Sequence, residues 1–235
     1  KGCWELQITT PAASFEEYTL TLTDGEQSVT LQHLLIGEVW LCAGQSNMVM
    51  PLNGFDYCPI SDSNNVIADA PNHPGIRMVT IKPTVKLSPQ EYAEGSWQQP
   101  TTENAPKFSA AAYHYALTLQ RTLQIPIGVI TCAWGGSRVE GWLPKEILHL
   151  QSMLMYNGIL YPCHKYTIKG FIWYQGESNV RSSRTYAERL ATMVKHWRSI
   201  WKQGDLPFYY VETVPFACEY KEDGYIGALL REAQQ

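Results

Sequence analysis

The first part of the chain alternates strictly between apolar and polar residues. Tyr18, Leu20 and Leu22 alternate with threonines, the same pattern returns at residues 29–31, and Asp24-Gly25 lies between the two segments. A period of two is typical of a half-buried strand, and Asp-Gly favours the tight turn that joins two antiparallel strands. The pattern therefore predicts a β-hairpin over residues 17–35.

From residue 37 onward, short apolar runs alternate with segments of helical periodicity. The runs predict strands near 38–43, 76–82, 127–133, 169–174 and 207–213. Strands that alternate with helices are typical of parallel βαβ units. We therefore expect an α/β domain with a mostly parallel, five-stranded sheet over residues 37–235. Residues 1–36 then form the trailing part of an upstream β-domain.

Two helices are predicted among these strands. Over about 109–124, apolar residues recur at spacings of three and four. A second such stripe covers about 186–203, and Thr185 and Glu188 before it have the spacing of a capping box. Each helix is expected to pack its apolar face on the sheet.

Two segments show neither the periodicity of a strand nor that of a helix. Residues 51–75 are rich in Pro, Asn and Asp, and residues 83–107 are rich in Pro, Gln, Glu and Thr. Such compositions are typical of long loops, which often carry function.

Composition narrows the class of ligand. The chain has 235 residues, 45% of them hydrophobic, and a formal net charge of -4 without a cluster of Lys or Arg. A nucleic-acid partner or an anionic membrane surface is therefore not expected. No stretch approaches the ~20 apolar residues of a membrane span. A small molecule or a glycan fits this surface better, and the sequence does not indicate an oligomeric state.

The cysteines do not suggest a metal site. None of the six forms a Cys-x-x-Cys pair, which zinc sites commonly use. Cys42 and Cys132 lie in apolar runs and are expected to be buried thiols. The other four could include a disulfide if the protein is exported, but the sequence does not decide the compartment. They are Cys3, Cys58, Cys163 and Cys218.

Polar residues follow three of the predicted strands. Ser46 lies in Gly44-Gln45-Ser46-Asn47-Met48 directly after the run 39–43. Gly135-Gly136 follows the strand near 127–133, and an amide-rich segment, 173–179, follows the strand near 169–174. Since open α/β sheets bind ligands at the carboxyl ends of their strands, these loops are expected to form one site.

This combination of residues favours acyl transfer. A serine hydroxyl is a weak nucleophile that needs a base and donors aimed at the developing oxyanion. Backbone N–H groups at Ser46 and at Gly135-Gly136 could supply two donors, and the side-chain amide of Gln175 or Asn179 a third. The alternative for Ser46 is a plain helix cap, and for the glycines a simple tight turn.

Three motifs together resemble the sialate O-acetylesterase family of SGNH hydrolases, which also includes acetylxylan esterases. They are residues 37–48, Trp134-Gly135-Gly136-Ser137 with Glu140 and Trp142, and residues 173–179. The resemblance extends over essentially the whole chain. It implies a three-layer α/β/α domain of flavodoxin-like type and a serine esterase that removes O-acetyl groups from carbohydrate, with sialic acid as the favoured substrate.

The resemblance also implies residue roles. Ser46 corresponds to the nucleophile, Gly136 (or Gly135) to the backbone oxyanion donor, Gln175 to the side-chain donor, and Glu177 to the acidic partner of the catalytic histidine in some relatives. No metal or organic cofactor is expected. The residues expected to contact substrate are Gln45, Asn47, Gly135, Arg138 and Asn179, of which Arg138 could pair with a sialic acid carboxylate.

The general base is missing from these motifs. Relatives carry Asp-x-x-His near the end of the domain, and here no Asp is followed three positions later by His. The six histidines are His33, His73, His114, His149, His164 and His196. None resembles the catalytic one in its surroundings, so we expect the base in a segment beyond Gln235.

Two rival functions remain open at this stage. The same motifs serve an acetylxylan or other hemicellulose acetylesterase equally well. Without a base, the pocket could instead belong to a catalytically silent glycan-binding domain. A lipid esterase is disfavoured because no long apolar loop is available for an acyl chain. A periplasmic or secreted location is a family-level expectation only.

Overall fold

A computed structural model describes residues 6–148, 155–215 and 225–235. Strands β1 (Ser14–Thr23) and β2 (Ser28–Ile36) pair in antiparallel fashion. Gly25 between them has φ +97°, which a glycine adopts readily. The predicted hairpin is therefore confirmed, whereas its assignment to an upstream β-domain stays a prediction.

The remaining strands form one five-stranded sheet in which every neighbouring pair is parallel. The order is β4-β5-β3-β6-β7, so the first strand of the domain lies at the centre. All five predicted strands are present, although β4 and β7 are shorter than expected. The strands are β3 (Glu38–Gly44), β4 (Ile76–Thr80), β5 (Ile127–Ala133), β6 (Gly170–Tyr174) and β7 (Phe208–Tyr210).

Helices cover both faces of this sheet. Trp40 and Cys42 of β3 pack in the cluster that holds Tyr113, whereas Leu41 and Ala43 pack in the cluster that holds Trp197. Successive side chains of a strand point to opposite faces, so the two clusters are two separate cores. The predicted three-layer α/β/α fold is confirmed. The helices are α1 (Ser46–Val49), α2 (Ser63–Asp69), α3 (Ala110–Leu123), α4 (Lys145–Leu148), α5 (Ser183–Trp201) and α6 (Ile226–Gln234).

The predicted start of α5 was wrong by about one turn. The helix begins at Ser183, directly after a 3₁₀ segment, Glu177–Ser182. Thr185 therefore lies inside the first turn, where its hydroxyl donates to the carbonyl of Ser182 at 3.2 Å, and it does not cap the helix. Hydroxyl side chains often bond backbone carbonyls inside a helix in this way.

The two long polar segments differ. Residues 51–75 contain α2, whereas residues 83–107 remain irregular except for the 3₁₀ turn Ala105–Lys107 and an isolated antiparallel bridge between Gln98 and Met78 of β4. Within the described ranges, no helix is long and apolar enough to cross a membrane.

Candidate active site

Ser46 lies where the central strand turns into α1. Gly44 at the end of β3 has φ +151°, and a Cβ there would lie 2.1 Å from the carbonyl oxygen of Tyr174. Only glycine lets β3 and β6 approach so closely at this edge. The next residue, Gln45, donates its N–H to that same carbonyl at 3.0 Å. The turn leaves Ser46 partly exposed at the carboxyl end of the sheet.

The glycine loop after β5 lies beside this turn. Trp134 donates its N–H to the carbonyl of Gly44 at 3.0 Å, which joins the two loops. Gly136 has φ +72°, and a Cβ on Gly135 or Gly136 would meet no atom within 4 Å. In the described part of the chain, the N–H groups of Ser46, Gly135 and Gly136 have no hydrogen-bond acceptor. Three donors at neighbouring strand ends are therefore available to a ligand.

Two predicted site residues, Gln175 and Asn179, are fully buried beneath these loops. Nε2 of Gln175 donates to the carbonyl of Ser137 at 3.0 Å and to Oδ1 of Asn179 at 2.8 Å. Its Oε1 accepts from the hydroxyl of Tyr186 at 2.9 Å. A direct contact of Gln175 with an oxyanion would require one of these bonds to exchange, so that role stays a prediction.

Asn179 connects the third loop to the second. Its Oδ1 also accepts from the N–H of Val139 at 2.9 Å, and its Nδ2 donates to Oε2 of Glu140 at 2.9 Å. Gln45 makes a similar connection from the first loop, since its Oε1 accepts from the N–H groups of Gly176 and Ser178. Buried amides with satisfied donors and acceptors fix loops relative to one another. A contact of Gln45 or Asn179 with substrate stays a prediction.

Glu177 is the acidic side chain next to the serine turn. Nδ2 of Asn47 donates to Oε1 of Glu177 at 2.6 Å. The other carboxylate oxygen, Oε2, is buried and has no hydrogen-bond partner. A buried carboxylate oxygen without a donor is costly, so Oε2 of Glu177 can accept a further hydrogen bond.

Glu140 anchors the glycine loop from the other side. Its carboxylate is 8% exposed and forms an ion pair with Arg189 of α5. Arg138 lies nearby, half-exposed, with a 2.7 Å bond to the hydroxyl of Ser182 and its Nε 3.9 Å from Glu140. The guanidinium of Arg138 is therefore partly engaged within the chain, and its pairing with a substrate carboxylate stays a prediction.

None of the described histidines bonds to Ser46 or Glu177. Each of four bonds a partner elsewhere: Glu17 for His33, Asp69 and Gln120 for His73, Tyr161 for His164 and Tyr156 for His196. His114 is exposed on α3 and packs edge-on against Tyr113. His149 lies outside the described residues, as do Cys3 and Cys218.

The described thiols and acids do not cluster around a metal position. Within the described ranges, no group of three or more His, Cys, Asp or Glu side chains could hold a metal ion. Cys42 and Cys132 are free and buried, as predicted from their apolar runs, and burial raises the pKa of each thiol.

Comparison with known proteins assigns the family. The model of the carbohydrate esterase, sialic acid-specific acetylesterase family matches residues 36–234. The chain belongs to this family. Sequence comparison also finds the sialate O-acetylesterases of Pongo abelii (28% identical) and Homo sapiens (27% identical), each over 204 residues that cover 75% of this chain and 38% of the relative. The chain thus spans less than half the length of these relatives.

Solved structures support the same assignment. A carbohydrate acetylesterase from Xanthomonas citri superposes with a TM-score of 0.90 at 32% identity, over 98% of this chain and 54% of that chain. An Arabidopsis thaliana protein superposes with a TM-score of 0.54 at 20% identity, over 84% and 79%, which supports the fold alone. The sequence motifs predicted an α/β/α fold of the SGNH type, and this prediction is confirmed.

Sequence reasoning missed two residues of the buried network. Arg189 and Tyr186 of α5 bond Glu140 and Gln175, respectively. They are three residues apart and so lie on one face of the helix. A charged residue next to an apolar helical stripe is the signal that could have drawn attention to Arg189.

Proposed function

We propose that this acetylesterase-family chain carries the nucleophile of a carbohydrate O-acetylesterase, with O-acetylated sialic acid as the favoured substrate. The relatives named as sialate O-acetylesterases and the carbohydrate acetylesterase structure support this reading. So does the position of Ser46, whose partly exposed side chain makes no hydrogen bond in the described part of the chain. A periplasmic or secreted location belongs to the same proposal.

In the proposed reaction, Oγ of Ser46 attacks the carbonyl carbon of the acetyl ester. The negative charge that develops on the carbonyl oxygen is stabilised by the unpaired N–H groups of Ser46 and Gly136, with Gly135 as the neighbouring donor. The tetrahedral intermediate collapses to an acetyl-serine ester, and the departing sugar oxygen takes up the proton that Ser46 has lost. Water then attacks the acetyl-enzyme, which releases acetate and regenerates Ser46.

The observation that carries the proposal is that Oε2 of Glu177 is buried and has no hydrogen-bond partner. A histidine that accepts the proton of Ser46 needs an acceptor for its other ring N–H, and a carboxylate in that role stabilises the imidazolium. Asn47, the residue after the nucleophile, holds the other oxygen of Glu177 at 2.6 Å. We propose that Glu177 orients the catalytic histidine, and that this histidine lies outside the described residues.

In this proposal, Gln175 and Asn179 hold the glycine loop in position. Gln175 and Asn179 link the carbonyl of Ser137 and the N–H of Val139, so they hold the loop that carries Gly135 and Gly136. Their loss would move the oxyanion donors without removing them. Displacement of such donors by about 1 Å is enough to reduce the rate roughly 10²-fold.

The test is hydrolysis of 4-nitrophenyl acetate, 9-O-acetyl sialic acid and acetylated xylo-oligosaccharides by the full-length gene product and by this 235-residue chain. Each is compared with its Ser46→Ala variant, and a Ser178→Ala variant serves as a serine control outside the turn. The proposal expects activity that Ser46→Ala abolishes and Ser178→Ala retains. Preference for the acetylated xylo-oligosaccharides would replace sialic acid as the proposed substrate. Inactivity of the folded full-length protein on all three substrates would overturn the proposed esterase function.

A further inference from the structure

A cavity of about 210 Å³ lies beside the serine turn, at the carboxyl ends of β4 and β5. Val49 of α1 and Gly135 of the glycine loop form part of its wall. A water-sized group occupies about 30 Å³, so the cavity has room for about seven such groups. This volume exceeds what an acetyl group with three heavy atoms needs, and it suits part of a sugar.

The interior of this cavity offers an unused hydroxyl. Thr131 near the end of β5 lines it and is only 2% exposed. Its Oγ1 is buried and has no hydrogen-bond partner in the described part of the chain. Buried hydroxyls are almost always hydrogen-bonded in native proteins, so the unpaired hydroxyl of a residue on this wall is a candidate partner for a polar group of a ligand.

Lys107 supplies a positive charge on the wall. Its side chain is exposed, and within the described ranges its Nζ forms neither an ion pair nor a hydrogen bond. Lys107 and Val49 also line a second, more open recess of about 520 Å³, so they stand where the two recesses meet. In contrast to Arg138, the ammonium of Lys107 is available to an anion.

The second, more open recess carries aromatic side chains. The rings of Phe55 and Tyr57 stack with centroids 5.6 Å apart, and Tyr57 is 85% exposed. Trp134 lines the inner cavity. Exposed aromatic surface of this kind is typical of a binding site, since the rings combine apolar faces with polar edges. Asp56 is the one acidic residue that lines either recess in the described chain, and it forms no ion pair with Lys107.

We propose that this cavity binds the sugar of the substrate and that Lys107 and Thr131 select an acidic sugar, with its carboxylate on Nζ of Lys107 and a hydroxyl group on Oγ1 of Thr131. The proposal rests on the proposed esterase function, and it adds the residues that select an anionic sugar. Lys107 acts on binding and does not take part in acyl transfer. Its loss therefore raises KM for acidic sugars and leaves kcat nearly unchanged.

The experiment compares Lys107→Met, Lys107→Arg and Thr131→Val with the full-length wild type. Lys195→Met, an exposed lysine of α5, is the matched control. We expect Lys107→Met to raise KM for 9-O-acetyl sialic acid roughly five- to tenfold, and to leave acetylated xylose and 4-nitrophenyl acetate within about twofold. Lys107→Arg retains the charge and most of the affinity. Thr131→Val raises KM for both sugars but not for 4-nitrophenyl acetate.

A binding measurement separates this inference from the esterase itself. Calorimetric titration of free N-acetylneuraminic acid into the Ser46→Ala variant measures binding of the sugar to the cavity in the absence of catalysis. Binding that Lys107→Met weakens supports the inference even if no ester is hydrolysed. Equal kinetic effects of Lys107→Met on acidic and neutral substrates, or a loss that Arg138→Met causes and Lys107→Met does not, would overturn it.

Discussion

Asn47 and Glu177 are 130 residues apart in the chain, yet Nδ2 of Asn47 lies 2.6 Å from Oε1 of Glu177. The bond joins the helix that begins with Ser46 to the loop after β6. It fixes one carboxylate oxygen and leaves the other, Oε2, buried without a donor. The neighbour of the candidate nucleophile thus sets the orientation of the Glu177 carboxylate.

Glu177→Gln is expected to lower kcat about 10²- to 10⁴-fold, because a neutral amide would not stabilise an imidazolium. KM should change little, since Glu177 is not expected to bind substrate. The measurement is steady-state hydrolysis of 4-nitrophenyl acetate by the full-length protein between pH 5 and pH 9. Thermal unfolding should shift only slightly, because glutamine keeps the size of the side chain.

Glu188→Gln is the control for this variant, because Glu188 is an exposed glutamate of α5. It should leave kcat and its pH profile unchanged. If Glu177→Gln retains wild-type kcat at every pH, Glu177 is not the partner of the base, and its unpaired oxygen then requires another explanation.

Gly44 and Gly136 should respond differently to alanine. A Cβ at Gly44 would lie 2.1 Å from the carbonyl oxygen of Tyr174, whereas one at Gly136 would meet no atom within 4 Å. Gly44→Ala is therefore expected to destabilise the fold by about 3 kcal/mol through backbone overpacking. Gly136→Ala costs about 1 kcal/mol for the left-handed conformation alone. Urea unfolding measures both, and a larger loss for Gly136→Ala would contradict the close approach of β3 and β6.

The ion pair of Glu140 and Arg189 should stabilise both the fold and the glycine loop. Glu140→Leu leaves Arg189 without its acceptor and removes one of the two acceptors of Nδ2 of Asn179, so a loss of about 3 kcal/mol in unfolding free energy is expected. Arg189→Leu should cost a similar amount. The double variant should lose clearly less than the sum, because neither charge is then left unpaired. Strict additivity of the two losses would show that the pair is not coupled.

The sheet could be predicted from sequence because its strands are buried on both faces. Such strands are continuous apolar runs, as residues 39–43 and 127–133 illustrate, and their positions follow directly from composition. The placement of Ser46 at a strand end followed for the same reason. The start of α5 was not predicted correctly. Thr185 and Glu188 have the capping-box spacing, but the preceding 3₁₀ segment already continues into the helix at Ser183.

The partners of the amides could not be predicted. Gln175, Asn179 and Gln45 have the residue type expected of ligand contacts, yet the structure places all three in buried bonds between loops. Those bonds join residues that lie up to 133 positions apart, so no local pattern reports them. Sequence alone identified which loops meet, and the tertiary structure decided which donors remain unpaired.

The described thiols should differ sharply in reactivity towards iodoacetamide. Cys58 is exposed, whereas Cys42, Cys132 and Cys163 are buried. Burial raises the pKa of Cys42 and Cys132, so both remain neutral thiols at pH 8, and only the thiolate reacts. Mass spectrometry of the native protein should find Cys58 labelled and the other three unlabelled until urea is added. Labelling of native Cys132 as fast as that of Cys58 would mean that the strand before the glycine loop opens readily, and the rigid oxyanion donors proposed here depend on that strand staying closed.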